Sequence, residues 1–256
     1  MSVFRSFIIA VSMYSRIPMP QFAWKEKDMR YAICFFPVVG VITGLVQYLL
    51  NFCLEKEFLT AWEYVIASAV VPLLIIGGIH LDGFMDVSDA LHSYAPAEKK
   101  LEIMKDPHIG AFAVISLLAP GLLWIGALME LSVHMTKGIA AAMPFIYVLS
   151  RIFSGMALVW FPAARKDGLL YTFASAAHKK TVRITLICAA VFCGCMLLWL
   201  SPAAGLLLLL FCLGFLAFYR VYAMRIFGGI TGDTEGWFLC LEELFMLLLL
   251  AVLVRF

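Results

Sequence analysis

The segment at residues 111–133 reads AFAVISLLAPGLLWIGALMELSV, and it decides the fold class because its apolar residues continue far enough to cross a bilayer. A membrane-spanning helix needs about 17–25 mostly apolar residues. The segment shows no two-residue alternation, which indicates a helix rather than a barrel strand. Further runs of this kind bring the expected total to about seven transmembrane helices, the others at residues 32–54, 61–79, 139–160, 184–200, 202–219 and 237–254.

The composition of the whole chain leads to the same class. Of its 256 residues, 64% are hydrophobic and 14% are charged, whereas a soluble domain has roughly 25% charged residues. So apolar a composition leaves no broad basic surface, so nucleic acid is excluded as a partner. We therefore expect an all-α, polytopic bundle in the lipid bilayer, forming a single integral membrane domain over residues 1–256.

The positive charges predict the orientation of the bundle. With the N-terminus in the cytoplasm, most of the 19 Lys and Arg residues lie on the cytoplasmic side, as the positive-inside rule requires. Residues 1–30 then form a cytoplasmic or interfacial segment, with a helix at residues 3–15. The long polar loops at 80–110, 161–183 and 219–236 share that side, which favours an enzyme that uses cytosolic substrates over a pore.

An aspartate-rich segment follows the second predicted span and reads GGIHLDGFMDVSD at residues 77–89. Asp82, Asp86 and Asp89 are spaced to share one face of a helix. Three carboxylates on one face repel one another, and a divalent cation removes that cost. Because Mg²⁺ prefers oxygen ligands and substrate phosphates, the pattern predicts a Mg²⁺ site for a phosphate or diphosphate group, with His80 beside it. The alternative is a solvated acidic helix face.

A glycine-rich segment, GGITGDTEG at residues 228–236, precedes the last predicted span. Backbone amides at Gly228, Gly229 and Gly232 are candidates to hold an anion at the start of a helix. Asp233 is a candidate for a further metal ligand. The alternative is a flexible loop before a span.

Three basic residues are candidates to bind phosphate. Lys105 lies in EIMKDPHIG at residues 102–110, where Asp106–Pro107 is equally explained as a helix-entry turn. Arg151 falls inside the fourth predicted span and needs an acidic partner or a phosphate. Arg165 lies in AARKDGL and offers a bidentate fork, although it is also a plausible anchor at the membrane surface.

These stretches occur in the same order as in the cobalamin synthase family, which the chain resembles from about residue 7 to residue 245. The resemblance rests on GGIHLDGFMDVSDAL, EIMKDPHIGAFAV, the SR and ARKDGL stretches, GGITGDTEG and the N-terminal YSRIPMP. The chain has Pro107-His108 where the family usually has Ser-Arg, so no phosphate role of an arginine is carried over there. Glu235 replaces a small apolar residue and stays unassigned.

The resemblance implies a reaction and a location. Adenosylcobinamide-GDP and α-ribazole, or its 5′-phosphate, would give adenosylcobalamin, or its 5′-phosphate, and GMP. Mg²⁺ is the implied cofactor, and the implied location is the bacterial cytoplasmic membrane with the active site on its cytoplasmic face.

We combine this reaction with the candidate residues as a hypothesis. The expected Mg²⁺ ligands are Asp82, Asp86, Asp89 and Asp233. The expected phosphate ligands are Lys105, Arg151 and Arg165. His80 or one of the aspartates accepts the proton of the attacking hydroxyl.

Two other classes of protein remain as alternatives. One is another intramembrane phosphotransferase or prenyltransferase that acts on a Mg²⁺-bound diphosphate. The CDP-alcohol signature needs Ala-Arg soon after Asp82-Gly83, and here Ala164-Arg165 lies far downstream. The other is a cation-coupled transporter, which usually places binding acids near the midplane between repeats. This sequence has no internal repeat, and its acids cluster at one face.

Overall fold

The computed structural model describes residues 2–256, which form helices with no extended strand among them. A 3₁₀ turn at Ala32–Phe35 precedes the third helix. The helices are α1 (Ser2–Tyr14), α2 (Glu26–Met29), α3 (Phe36–Glu55), α4 (Ala61–Ile76), α5 (Ile79–His92), α6 (Ala97–Ile103), α7 (Ala111–His134), α8 (Lys137–Ala142), α9 (Phe145–Trp160), α10 (Gly168–Ala176), α11 (Lys179–Leu200), α12 (Pro202–Phe227) and α13 (Gly232–Leu253).

The bundle is that of a multi-pass membrane protein. Within residues 2–256, six helical segments are long and apolar enough to cross a membrane, and the bent pair α4–α5 brings the number to seven. Large apolar side chains such as Leu122 and Phe192 point outward, 69% and 66% exposed. Lipid is the solvent that tolerates such a surface. The predicted helical membrane bundle of about seven spans is confirmed.

Several predicted boundaries were wrong by a few residues. The predicted loop at 219–236 is helical as far as Phe227, and α13 begins at Gly232. Arg220 and Arg225 lower the hydropathy of this stretch, but arginine is a good helix former and its long side chain reaches away from the apolar surface. The guanidinium of Arg220 lies over the ring of Phe161, 5.7 Å from its centroid.

The central helix of the bundle is α9. Every residue from Ile146 to Val159 is buried, because α3, α11, α12 and α13 all pack around it. The N-terminal helix α1, close to the predicted 3–15, packs on α2 and α3 and is tied there by Arg5 and Asp28, whose charged atoms are 3.3 Å apart.

A sharp bend at Gly77–Gly78 turns the chain by 93° between α4 and α5. Both glycines have left-handed backbone conformations, with φ of 79° and 83°, which side-chain-bearing residues adopt only at a cost. The amide of Arg16 donates to the carbonyl of Ile75 at 2.8 Å, and the Arg16 side chain lies against Gly77. The N-terminal segment therefore braces the bend.

After the bend, α5 packs closely against the first turns of α13. A side chain at Gly83 would place its Cβ 2.8 Å from the Cα of Asp233, and one at Gly236 would approach the carbonyl oxygen of His80 to 2.7 Å. Only glycine allows the two backbones to approach this closely. The contact brings the helix of Asp82 and Asp86 to the start of the helix of Asp233.

Candidate active site

Carboxylates from two helices converge where α5 crosses α13. Asp82 is exposed and Asp86 half-buried on α5, and the Asp233 side chain is 25% exposed at the start of α13. The negative charges of Asp82, Asp233 and Asp89 all act on the Asp86 carboxylate. The fold thus gathers four aspartates that the sequence separates into two motifs, and it concentrates negative charge that a cation would relieve.

The cluster is not a complete protein cage for a metal ion. Across residues 2–256, no three His, Cys, Asp or Glu side chains are arranged as a ready metal site. Mg²⁺ is commonly held by one or two carboxylates, with water and substrate phosphates filling its other positions. The clustered carboxylates of Asp82, Asp86 and Asp233 are oxygen ligands of the kind that Mg²⁺ prefers, but within the described chain they do not form a metal site by themselves.

Asp89 also has a structural role at the start of α7. Its Oδ2 accepts a hydrogen bond from the amide of Gly110 at 2.6 Å, and its Oδ1 accepts one from the amide of Ala113 at 2.7 Å. These amides belong to the first turn of α7, which has no intrahelical partners for them. Asp89 therefore caps α7 across space, and metal binding would compete with this cap.

Basic side chains border the aspartates. The Nη2 atom of Arg165 lies 3.4 Å from Oδ2 of Asp233, and its Nε lies 3.3 Å from Oδ1 of Asp167. Lys105 donates to the other oxygen of Asp167 at 2.8 Å, and this hydrogen bond holds the pKa of Asp167 below its ordinary value. Asp167 thus joins two of the predicted phosphate ligands, a role that the sequence analysis missed.

Arg165 has one hydrogen-bond donor that no group among residues 2–256 accepts. Its Nη1 is buried without a hydrogen-bond partner within the described chain. A buried guanidinium donor is costly unless it is paired, and phosphate oxygens are its natural acceptors.

The segment between α6 and α7 differs from the predicted helix-entry turn. Asp106 accepts from the amide of His108 at 3.0 Å, which lowers the pKa of Asp106, but α7 begins only after Gly110. The helix-entry interpretation of Asp106–Pro107 was therefore wrong, because Asp89 supplies the cap from another helix. His108 is exposed at the surface of this turn.

The glycine-rich segment is more constrained than expected. The amides of Gly228 and Gly229 donate to the carbonyls of Met224 and Ala223 at the end of α12. These two amides are therefore not free for an anion, which corrects that part of the prediction. Gly232 is the first residue of α13, after a capping box formed by Thr231 and Thr234. Its amide belongs to the helix N-terminus, where an anion is favoured.

Arg151, on α9, and His80, on α5, lie at the side of α5 that faces away from the aspartates. Arg151 is fully buried and pairs with Glu243, so the acidic one of the two predicted kinds of partner is present; its Nη1 also donates to Ser150 Oγ at 2.8 Å. His80 precedes Asp82 by two positions, so the helical repeat turns its side chain away from the aspartate face. Both residues line a cavity in the bundle.

A second buried polar cluster fixes the start of α13. Glu235 accepts hydrogen bonds from Ser154 at 2.5 Å and from the hydroxyl of Tyr219 at 3.1 Å. These contacts tie α13 to α9 and α12 beside Asp233. No local sequence pattern predicts this role, because the three partners are far apart along the chain.

The bundle and this site define a multi-pass membrane protein with an acidic and basic polar centre at one end of its helices. Residues 6–251 match the family described as CobS, cobalamin-5-phosphate synthase. The chain belongs to this family and is a transferase of cobalamin synthesis.

Similar curated proteins carry one name, adenosylcobinamide-GDP ribazoletransferase. A relative from Lachnoclostridium phytofermentans is 42% identical over 244 residues, covering 93% of this chain and 90% of the relative. One from Clostridium perfringens is 29% identical over 252 residues, covering 98% of both chains. One from Shewanella baltica is 30% identical over 231 residues, covering 90% of this chain and 87% of the relative. No solved structure matches this chain.

Proposed function

We propose that this chain joins adenosylcobinamide-GDP to α-ribazole, or to its 5′-phosphate, in a Mg²⁺-dependent reaction. A ribose hydroxyl oxygen forms a bond to the phosphorus on the cobinamide side of the diphosphate. The bond from that phosphorus to the bridging oxygen breaks, and GMP leaves with the electron pair. The observation that carries the proposal is the convergence of Asp82, Asp86 and Asp233 beside Arg165, in a chain of this family.

Catalysis of phosphoryl transfer consists mostly of positioning the reacting groups and neutralising their charge. Different residues of the site would serve these two purposes. Asp82, Asp86 and Asp233 would hold Mg²⁺, which when bound neutralises charge on the diphosphate. Arg165, with its free Nη1, and Lys105 would bind phosphate oxygens beside the aspartates. Asp82, exposed and on the aspartate face, is better placed than His80 to take the proton of the hydroxyl.

We place the site at the cytoplasmic face of the bacterial cytoplasmic membrane. The support is the excess of Lys and Arg at the end of the bundle that carries the N-terminus, together with the water solubility of a nucleotide donor and a nucleoside acceptor. Modification by an amine-reactive reagent that cannot cross membranes tests this orientation. Lys105 should be labelled in inside-out vesicles and protected in right-side-out vesicles.

The direct test is release of GMP by the purified chain in lipid nanodiscs. GMP should form only when adenosylcobinamide-GDP, α-ribazole and Mg²⁺ are all present, and chelation of the metal should stop the reaction. Supplying α-ribazole 5′-phosphate in a parallel reaction identifies the preferred acceptor. Mg²⁺-independent turnover would contradict the metal role, and absence of any turnover with both acceptors would contradict the proposed reaction.

A further inference from the structure

A buried carboxyl group joins three helices at the end of the bundle where the aspartates lie. Glu235, in the first turn of α13, is buried, and so are Ser154 on α9 and Tyr219 on α12. The hydroxyl of Ser154 donates to Oε2 of Glu235 at 2.5 Å, and the hydroxyl of Tyr219 donates to Oε1 at 3.1 Å. Each oxygen of the carboxyl group is therefore held by a hydroxyl from another helix.

These two hydrogen bonds fix the position of α13 along its axis. Burying a carboxyl group is costly unless its oxygens are paired. A shift of α13 by one residue, about 1.5 Å along the axis, would take both oxygens of Glu235 away from the hydroxyls. Apolar side chains stay in contact after such a shift, because the hydrophobic effect has no direction. The position with both hydrogen bonds is therefore preferred over its neighbours.

The position of α13 decides where Asp233 lies. Asp233 is two residues before Glu235 in the same turn, so the two side chains leave the helix on nearly opposite faces. On the Asp233 face, α5 packs so closely that a Cβ at Gly83 would lie 2.8 Å from the Cα of Asp233. The start of α13 is thus held by α5 on one side and by Ser154 and Tyr219 on the other.

We propose that Glu235 is a positioning residue of the active site, which holds Asp233 at the distance from Asp82 and Asp86 that the reaction requires. This inference rests on the proposed function, in which the three carboxylates act together. Groups that act together must be held within about 0.5 Å of their productive arrangement. Loss of a residue that orients such a ligand lowers metal affinity or activity about 10- to 100-fold.

Glu242 provides a matched control on the same helix. It is fully buried, but neither of its carboxylate oxygens has a hydrogen-bond partner among the described residues. Glu235→Leu and Glu242→Leu therefore remove the same group from α13, and only Glu235→Leu removes hydrogen bonds to other helices. Glu235→Gln keeps the size of the side chain, accepts from Tyr219 and donates to Ser154, so it separates the hydrogen bonds from the charge.

Two measurements on the protein in nanodiscs test the inference. The first is GMP release, from which kcat and the Mg²⁺ concentration for half-maximal rate are obtained. The second is hydrogen exchange of the α13 amides without substrates or Mg²⁺. We expect Glu235→Leu to lower kcat about tenfold or more, to raise the Mg²⁺ requirement in parallel, and to speed exchange only in the first turns of α13.

The other variants complete the comparison. Glu242→Leu should behave as the unmodified protein, and Glu235→Gln should recover most of the activity lost in Glu235→Leu. Ser154→Ala removes one of the two hydrogen bonds from the α9 side. It should move kcat, the Mg²⁺ requirement and the exchange in the same direction by a smaller factor, and it takes the place of Glu235→Leu where that variant does not fold.

Unchanged kcat and Mg²⁺ requirement in Glu235→Leu would overturn the inference. Equal losses in Glu242→Leu would overturn it too, as would a loss in Glu235→Gln as large as in Glu235→Leu. Absence of GMP release by the unmodified protein would contradict the proposed function, and hydrogen exchange would then decide alone. Faster exchange at the start of α13 in Glu235→Leu, but not in Glu242→Leu, would support the placement by Glu235, and equal exchange in the two variants would overturn it.

Discussion

Arg165 reaches Asp233 across the site, with 3.4 Å between Nη2 of the guanidinium and Oδ2 of the carboxylate. The contact joins the segment before α10 to the first turn of α13. It also places a fixed positive charge beside the aspartates, where a diphosphate would carry its negative charge.

Arg165→Gln should lower the rate of GMP release about 100-fold, because it removes a preorganised donor to the transferring phosphate. Lys166→Gln is the matched control, since Lys166 is the next residue, is exposed and has the same charge. Steady-state kinetics of both variants check the expectation. Equal losses in the two variants would show that general positive charge, rather than the Arg165 fork, is what matters.

Asp82→Asn and Asp86→Asn should each reduce turnover by about 100-fold or more, since each removes a negative charge from the proposed Mg²⁺ ligands. The concentration of Mg²⁺ needed for half-maximal rate should rise in parallel, measured by titration of the metal. Glu98→Gln, an exposed acid on α6, is the control and should change neither quantity. Near-normal rates in both aspartate variants would refute the metal site.

Asp89→Ala should destabilise the protein, because it removes the acceptor of two amides at the start of α7. Loss of such a cap costs about 1–2 kcal/mol of the free energy of unfolding. Thermal unfolding in detergent, followed by tryptophan fluorescence, should therefore show a lower Tm for Asp89→Ala than for Asp82→Ala. The opposite order would contradict the capping role of Asp89.

Glu243→Gln should be strongly destabilising, because it leaves the charge of Arg151 buried without its partner. Breaking a buried pair in this way costs about 3–5 kcal/mol. The yield of folded protein and its Tm measure the effect. Glu130→Gln, which breaks the exposed pair with Arg255, should change the Tm little.

A double variant distinguishes the charge from the packing. Replacing Arg151 and Glu243 together by Met and Leu should recover much of the Tm lost in Glu243→Gln, since an apolar pair leaves no unpaired charge. A double variant no more stable than Glu243→Gln would show that the side-chain shapes, rather than the ion pair, hold α9 to α13.

The sequence is sufficient to predict the helices of this fold because the length of an apolar run decides whether a chain crosses lipid. It also predicts that Arg151 has either an acidic partner or a phosphate, since an isolated charge in a span is too costly. The grouping of Asp82 and Asp86 on one helix face follows from their spacing alone.

The rest of the site depends on contacts between distant positions. Lys105 and Asp167 are 62 residues apart, and Asp89 caps a helix that starts more than twenty residues later. No local pattern encodes such pairs, because hydrogen bonds of this kind depend on where whole helices lie. The anion role of Gly228 and Gly229 failed for the same reason: their amides find carbonyls of α12 once the chain turns.

The bend at Gly77–Gly78 decides where the aspartates end up. Had α4 continued straight, Asp86 would stand about 15 Å farther along the axis than Ile76, at 1.5 Å per residue. The carboxylates would then project past the bundle, out of reach of α13. The two glycines thus redirect α5 across the end of the bundle. An enzyme that folds in lipid thereby keeps its polar residues at the boundary with water.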